Sequence, residues 1–337
     1  MKQSMQEFFA SINGKRIALI GMGRSHLPLI PLFTKYGATV IACDKRDEAA
    51  LGDAAVQAKA DGAILSLGEH YLDDIDVDIA LRTPGMRFWC DELNALRDKG
   101  VEISSEMEIF FDICPCKIYA VTGSDGKTTT TTIISELLKA AGFTVHLGGN
   151  IGKPLLCETP LMKREDIAVL ELSSFQLHSM ACRPSVSVIT NISPNHLDKH
   201  KDYEDYVDAK KSIYRQQKES DVLVLNADDE RTAEFASEAH SQIRLFSMGR
   251  EVPAGVFRKD GMILRAENGV YTPMMREEDI LLPGVHNCMN YMAAFAATAD
   301  LVPDAVCRFR YSLDGKRFKQ VEGTFKAQPE LWIGARF

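Results

Sequence analysis

Short apolar runs separated by amphipathic stretches of helical length organise most of the chain. Lys15-Arg-Ile-Ala-Leu-Ile-Gly-Met22 reads as a buried strand, followed by Gly23 and a helical segment over about 25–36. Ala38-Thr-Val-Ile-Ala-Cys-Asp44 is the next strand, and runs at 63–67, 79–81 and 101–104 alternate with helical stretches. Such alternation predicts a parallel sheet covered on both faces. A second alternation begins after Cys114-Pro-Cys116. Strands are expected at 118–122, 144–147, 167–172, 186–191 and 222–226, with helices from Lys127 to about Ala141 and from Tyr203 to about Gln217. Beyond Gln242 the pattern changes. Residues 256–271 carry Asp-Gly and Asn-Gly turns between short alternating strands, the mark of antiparallel hairpins. A last helix is expected over about 287–300. The fold class is α/β, with two parallel-sheet domains meeting near residue 116 and a small antiparallel extension on the second.

Composition narrows the setting. The chain has 337 residues, 45% hydrophobic and 26% charged, with a formal charge of −8. That describes a globular protein of about two domains. The N-terminus, Met1-Lys-Gln-Ser-Met-Gln-Glu7, has no apolar run, and no apolar stretch approaches the ~18 residues of a membrane span. A cytoplasmic setting is expected. The eight Cys are scattered and read as reduced thiols, with Cys114-Pro-Cys116 marking a linker and not a metal site. Net acidity argues against nucleic-acid binding. Anionic substrates must then be met by local Lys, Arg and backbone N–H groups.

The strongest chemical signal is Val121-Thr-Gly-Ser-Asp-Gly-Lys-Thr-Thr129. A buried strand enters a Gly-rich turn and a long helix opens at Lys127. Backbone N–H groups in such a turn converge on a phosphate, the Lys reaches the outer phosphates, and the Thr hydroxyl faces Mg²⁺. Val121 stands where the standard pattern has its first Gly; the strand before and the helix after supply the context, and the reading is ATP. Gly148-Gly-Asn-Ile-Gly152 follows another strand, where paired glycines admit a ligand and Asn150 can read an amide or a phosphate. Glu171-Leu-Ser-Ser-Phe-Gln176 ends the next strand, and Glu171 there is a natural Mg²⁺ ligand or a solvated acid. His196 and His200 are four apart in Asn195-His-Leu-Asp-Lys-His200, but Leu197 and Pro194 argue against a zinc site; a single His as metal or phosphate ligand fits better. In the first half, Gly21-Met-Gly-Arg-Ser-His26 suits either a phosphate turn or a plain tight turn. Asp44 can hold a ribose or a base edge, and Thr83-Pro-Gly85 lies on the same rim. Lys210, mid-helix, reads from spacing alone as a solvated charge.

Taken together these motifs resemble one family, the Mur ligases, the ATP-dependent amide-forming enzymes of peptidoglycan precursor synthesis. The resemblance covers roughly residues 10 to 305. It rests on Thr122-Gly-Ser-Asp-Gly-Lys-Thr-Thr129, with Asp125 where Asn is common, and on Gly149-Asn-Ile-Gly152 and Glu171-Leu-Ser-Ser-Phe-Gln-Leu177. Asn195-His-Leu-Asp-Lys-His200, the Ala209-Lys210 helix and Pro283-Gly-Val-His-Asn-Cys-Met-Asn290 complete it. The forms at 149–152 and 171–177 are similar to the branch that adds D-glutamate to UDP-N-acetylmuramoyl-L-alanine; the L-alanine-adding branch and a nucleotide- and UDP-sugar-binding chain without turnover are the alternatives.

The resemblance implies a Rossmann-like domain for the UDP-substrate (1–116), a central P-loop ATPase domain (117–302) and the start of a glutamate-docking domain (303–337). It implies that Gly123, Ser124, Asp125, Gly126, Lys127, Thr128 and Thr129 hold ATP phosphates, with Asn287 and Asn290 on the adenine. Lys127, Glu171, His196 and Lys210 would be catalytic. Two Mg²⁺ would be held by Thr128, Glu171, His196 and Lys210, the lysine carbamylated by CO₂ so that a cation becomes an oxygen ligand. Gly23, Arg24, Ser25, Asp44, Lys45, Thr83, Pro84, Gly85, Asn150, Ser173 and Gln176 would face the UDP-substrate. The partners implied are small molecules, on a monomer.

The last residues depart from the family. From Cys307 onward Arg308, Arg310, Lys316, Arg317, Lys319, Lys326 and Arg336 face only Asp314, Glu322 and Glu330, with no steady period. A frameshift or truncation near Val306 is expected to account for this, or else a divergent tail. The chain as written is expected to lack a D-glutamate site and to ligate poorly.

Overall fold

The computed structural model describes residues 4–195, 200–280 and 284–302. They form two compact units. The first takes the described residues up to Cys116 together with Gly152–Arg164 and Phe175–Ala181; the second takes Lys117–Ile151, Glu165–Ser174 and the described residues from Cys182 on. A linear reading of the chain does not anticipate that two short segments from beyond residue 116 join the first unit. The expected 303–337 region lies outside the described residues.

In the first unit β1 (Arg16–Ile20), β2 (Thr39–Asp44), β3 (Ile64–Leu67), β4 (Ile79–Arg82) and β5 (Glu102–Ser104) make a parallel sheet in the order β3-β2-β1-β4-β5. Alternation along β1 supplies both faces. Ile17 and Leu19 join a cluster with Ile30 and Phe33, whereas Ala18 and Ile20 join another with Leu93 and Leu96. Phe33 is fully buried, and truncating such a side chain to Ala costs about 3–5 kcal/mol. An additional helix, Met5–Ser11, precedes β1. The Ser4 hydroxyl accepts from the Glu7 N–H while the Glu7 carboxylate accepts from the Ser4 N–H, and Phe8 and Phe9 are buried. The helix expected over 25–36 opens only at Leu29, behind Pro28.

The second unit is a nine-stranded sheet of β6 (Lys117–Thr122), β7 (Val145–Gly149), β8 (Ile167–Glu171), β9 (Val186–Ile189), β10 (Val222–Asn226), β11 (Gln242–Ser247), β12 (Gly255–Lys259), β13 (Met262–Glu267) and β14 (Val270–Arg276). Its order is β14-β13-β12-β11-β10-β9-β6-β8-β7, parallel from β7 across to β12 and antiparallel over the last three strands. Asp260-Gly261 and Asn268-Gly269 close the two hairpins, all four with positive φ, as tight two-residue turns require. Sequence reading did not assign β11. Helices Lys127–Ala140 and Val285–Thr298 pack against each other in one apolar cluster with the sheet. The helix expected to reach Gln217 ends at Lys211. Past that point hydrogen bonds from Ile213 and Tyr214 shorten to i−3 spacing, and the Ser187 hydroxyl takes the Ile213 carbonyl. No described helix is long and apolar enough to cross a membrane.

Candidate functional site

β6 lies between β8 and β9, so the turn after it is flanked by two other strand ends. The chain passes through Gly123-Ser-Asp-Gly126 into the helix Lys127–Ala140, which starts without a capping side chain. Its first-turn N–H groups are therefore suited to an anion. Two glycines are required here. A Cβ on Gly123 (φ +149°) would lie 1.9 Å from Thr190 Oγ1, and one on Gly126 (φ +78°) 2.3 Å from Asn290 Oδ1. The turn is braced from the end of β9: Thr190 Oγ1 donates to the Asp125 carbonyl at 2.6 Å and the Asp125 N–H donates to Asn191 Oδ1 at 2.9 Å.

Two lysines converge on one oxygen of this turn. Lys127 Nζ donates to the Gly123 carbonyl at 3.0 Å and to that of Ser124 at 2.8 Å. Lys210 Nζ donates to the same Gly123 carbonyl at 2.8 Å. Lys210 is 1% exposed, so the solvated charge read from its spacing is corrected. It lies on the inner face of the helix Tyr203–Lys211, with its ammonium 4.7 Å from the Tyr206 ring centre. Burial, reinforced by the Lys127 charge and opposed by Asp125, brings its pKa down to about 7. Burial lowers that of Lys127 as well, against Glu171 and Asp125. Lys211 turns outward to pair with Glu238.

Glu171, at the end of β8, is buried and held from two sides. Thr128 Oγ1 donates to Oε2 at 2.6 Å and Asn150 Nδ2 donates to Oε1 at 2.8 Å. Gly149 (φ +95°) lets the Asn150 turn lie on the Glu171 backbone, where a Cβ would come within 2.2 Å of its carbonyl oxygen.

The first unit builds a different rim. A pocket of about 380 Å³ is lined by Gly21, Asp44, Lys45, Thr83, Gly85 and Arg87, among others. Asp44, at the end of β2, accepts from the Met22 N–H at 2.8 Å and from Arg46 through its backbone N–H, Nε and Nη2 at 2.8–3.0 Å. The Arg46 bonds, with the Met22 N–H, hold its pKa down at about 2 against the cost of burial. Lys45 pairs with Glu92 at 3.3 Å.

The model of the Mur ligase middle domain matches residues 121–298. The chain belongs to the Mur ligase family. It is 47% identical over 309 residues to a UDP-N-acetylmuramoylalanine–D-glutamate ligase of Acetivibrio thermocellus, covering 91% of this chain and 66% of that protein. It is 44% identical over 317 residues to the protein of that name from Ruminiclostridium cellulolyticum, covering 94% and 68%. The chain thus spans about two thirds of the length of these relatives. Among solved structures, a UDP-N-acetylmuramate:L-alanyl-γ-D-glutamyl-meso-diaminopimelate ligase from Neisseria meningitides is similar at TM-score 0.58 and 18% identity, over 87% of this chain and 95% of that one. At that identity the likeness concerns the fold.

Within this Mur ligase chain, Gly123 to Thr128, Asn150, Glu171 and Lys210 gather around one turn. Thr129 is half-buried on the helix's first turn. Asn290 accepts from Thr130 Oγ1 at 3.2 Å, with Asn287 3.4 Å beyond it. Ser173 is half-buried in the second unit, whereas Gln176 belongs to the first and lines a small hollow with Ser25 and Pro84. Gly23 and Arg24 are exposed and line neither cavity. His196 lies outside the described residues.

The other histidine of that pair, His200, is buried, with Nδ1 2.9 Å from Asp205 and Nε2 2.9 Å from Ser174 Oγ. Sequence reading missed this trio and also Arg46. For Arg46 a signal existed, since an Arg two residues after a strand-end Asp can fold back on it. The partners of His200 are 5 and 26 residues away, and spacing does not reveal them.

Proposed function

We propose that these two units are the nucleotide-handling parts of a ligase that joins D-glutamate to UDP-N-acetylmuramoyl-L-alanine using ATP. The observation that carries it is the meeting of the buried Lys210 and the half-buried Lys127 on the Gly123 carbonyl, beside an uncapped helix N-terminus. Such a concentration of cations and N–H groups suits a polyphosphate and screens the repulsion between two reacting anions. In this reading Lys127 and the turn amides hold the β- and γ-phosphates, with Asn287 and Asn290 on the adenine side. The substrate carboxylate attacks the γ-phosphorus and ADP leaves, giving an acyl phosphate. The amine of D-glutamate then attacks the activated carbonyl and phosphate departs.

The donor set fits Mg²⁺: Thr128 Oγ1 and Glu171 are hard oxygens side by side, and the ion would neutralise phosphate charge there. Burial and the neighbouring Lys127 charge lower the pKa of Lys210 and so favour its neutral amine, the form that takes up CO₂ as a carbamate. Lys210 and His196 would then serve a second Mg²⁺. The choice of D-glutamate rests on the names of the relatives and on the Glu171-Leu-Ser-Ser-Phe-Gln176 segment.

Calorimetry tests the reading. The chain is expected to bind ATP in a Mg²⁺-dependent manner and to bind UDP-N-acetylmuramoyl-L-alanine at least tenfold more tightly than UDP-N-acetylmuramate. Preference for the ligand lacking alanine would overturn the assignment in favour of an L-alanine-adding enzyme.

A further inference from the structure

Arg82 is among the largest fully buried side chains, and no step above employs it. It ends β4, immediately before Thr83-Pro84-Gly85. Thr83 to Met86 form a closed turn, the Met86 N–H donating to the Thr83 carbonyl at 3.0 Å. Arg82 Nη1 reaches across that turn to the Met86 carbonyl at 3.2 Å. Its other arm leaves the sheet altogether: Nη2 donates to the Phe175 carbonyl at 3.3 Å and to Ser179 Oγ at 2.6 Å. Those two residues bracket Gln176 within the same unit. The remaining donor, Nε, has no partner among the described residues. The guanidinium also lines the small hollow that Ser25, Pro84 and Gln176 share. A planar fork with five donors can hold two segments at a fixed spacing, and a single ammonium cannot reproduce it.

We propose that Arg82 is a positioning residue that locks the Thr83–Met86 turn to the Phe175–Ser179 segment, presetting the spacing of two surfaces that a long UDP-sugar must touch together. This rests on the substrate reading above, in which Thr83 to Gly85 and Gln176 face that ligand. A ligand that engages only the pocket beside Asp44 does not need the spacing. A UDP-sugar that spans both segments does.

Calorimetric titration of the 337-residue chain with UMP and with UDP-N-acetylmuramoyl-L-alanine separates the two cases. Arg82→Lys is expected to weaken the UDP-sugar at least tenfold and UMP by less than twofold. Ser179→Ala keeps the guanidinium and removes its bond to Oγ. It is expected to weaken the UDP-sugar a few-fold, again sparing UMP. Equal losses for both ligands in the two variants would make Arg82 a general support of the fold and overturn the proposal, as would unchanged UDP-sugar binding. If the wild-type chain bound UMP but gained nothing from the sugar and alanine, the substrate reading would fall, and the clamp with it.

Discussion

Each unit sends its first strand into a glycine turn, and the two turns solve opposite problems. After β6 the helix begins at once, at Lys127, and two ammonium groups stand on the Gly123 carbonyl. After β1 the helix is delayed to Leu29, and a carboxylate, Asp44, occupies the Met22 N–H. The first arrangement leaves helix N–H groups and cations for a phosphate. The second fills the place of an anion with the protein's own acid, so the Gly21-Met-Gly-Arg-Ser-His26 segment is a poor phosphate cradle despite its glycines. The Asp44 rim is better suited to hydroxyl and base N–H donors. What distinguishes the turns is the residue brought in from neighbouring strands and helices, not the glycines.

The widest separation of the two rims comes from paired substitutions. Lys127→Ala is expected to abolish ATP-dependent phosphate release, by roughly 10³-fold or more, with affinity for UDP ligands unchanged. Asp44→Ala should do the reverse, weakening UDP ligands by about 10–100-fold through loss of charged hydrogen bonds while ATP binding persists. Calorimetry with both ligands on both variants decides the point. Joint loss in either variant would mean that the rims are not independent.

A smaller effect sharpens the phosphate side. Lys210→Ala is expected to lower phosphate release about 10²-fold, with partial recovery in added formate or acetate, because a small carboxylate can replace carbamate oxygens. Lys211→Ala should stay within twofold. Its side chain lies about 100° around the helix, where it pairs with the exposed Glu238 and lies 4.9 Å from the Phe235 ring centre. Equal defects at the two positions, without rescue, would reduce the helix to a source of positive charge.

Much of this was legible in the chain because it is local. The β6-turn-helix motif places strand, glycines and Lys127 within a dozen residues, and the Asp-Gly and Asn-Gly hairpins announce themselves through required positive φ. Lys210 was illegible from spacing, because its burial depends on Gly123, 87 residues away. β11 was missed because polar and apolar residues alternate only from Gln242 to Leu245 before Leu245 and Phe246 fall side by side, and only Phe246 and Ser247 are buried. The grouping of Gly152–Arg164 and Phe175–Ala181 with the first unit depends on contacts such as Glu106 with the Leu156 N–H, which no periodicity encodes.

The smallest expected effect is one of stability, and it compares two buried acids of the first unit. Asp44 stays charged because Arg46 and the Met22 N–H serve its oxygens. Glu106 is buried, and its one hydrogen bond among the described residues, from the Leu156 N–H 2.9 Å from Oε1, does not offset desolvation, so its pKa rises to about 7. Between the ordinary carboxylate range and pH 7 the native protein therefore binds more protons than the unfolded chain. The stabilisation from neutral Glu106 is complete at low pH and is lost as pH rises through about 7. Glu106→Gln keeps an acceptor for the Leu156 N–H and removes the ionisation. It is expected to stabilise the protein by about 1–3 kcal/mol at pH 8 and to be close to neutral at pH 5. Thermal unfolding at the two pH values reads the difference directly. A variant equally stabilised at both would show that Glu106 does not titrate. One destabilised at pH 8 would show that the carboxylate, like that of Asp44, has a cationic partner holding it charged.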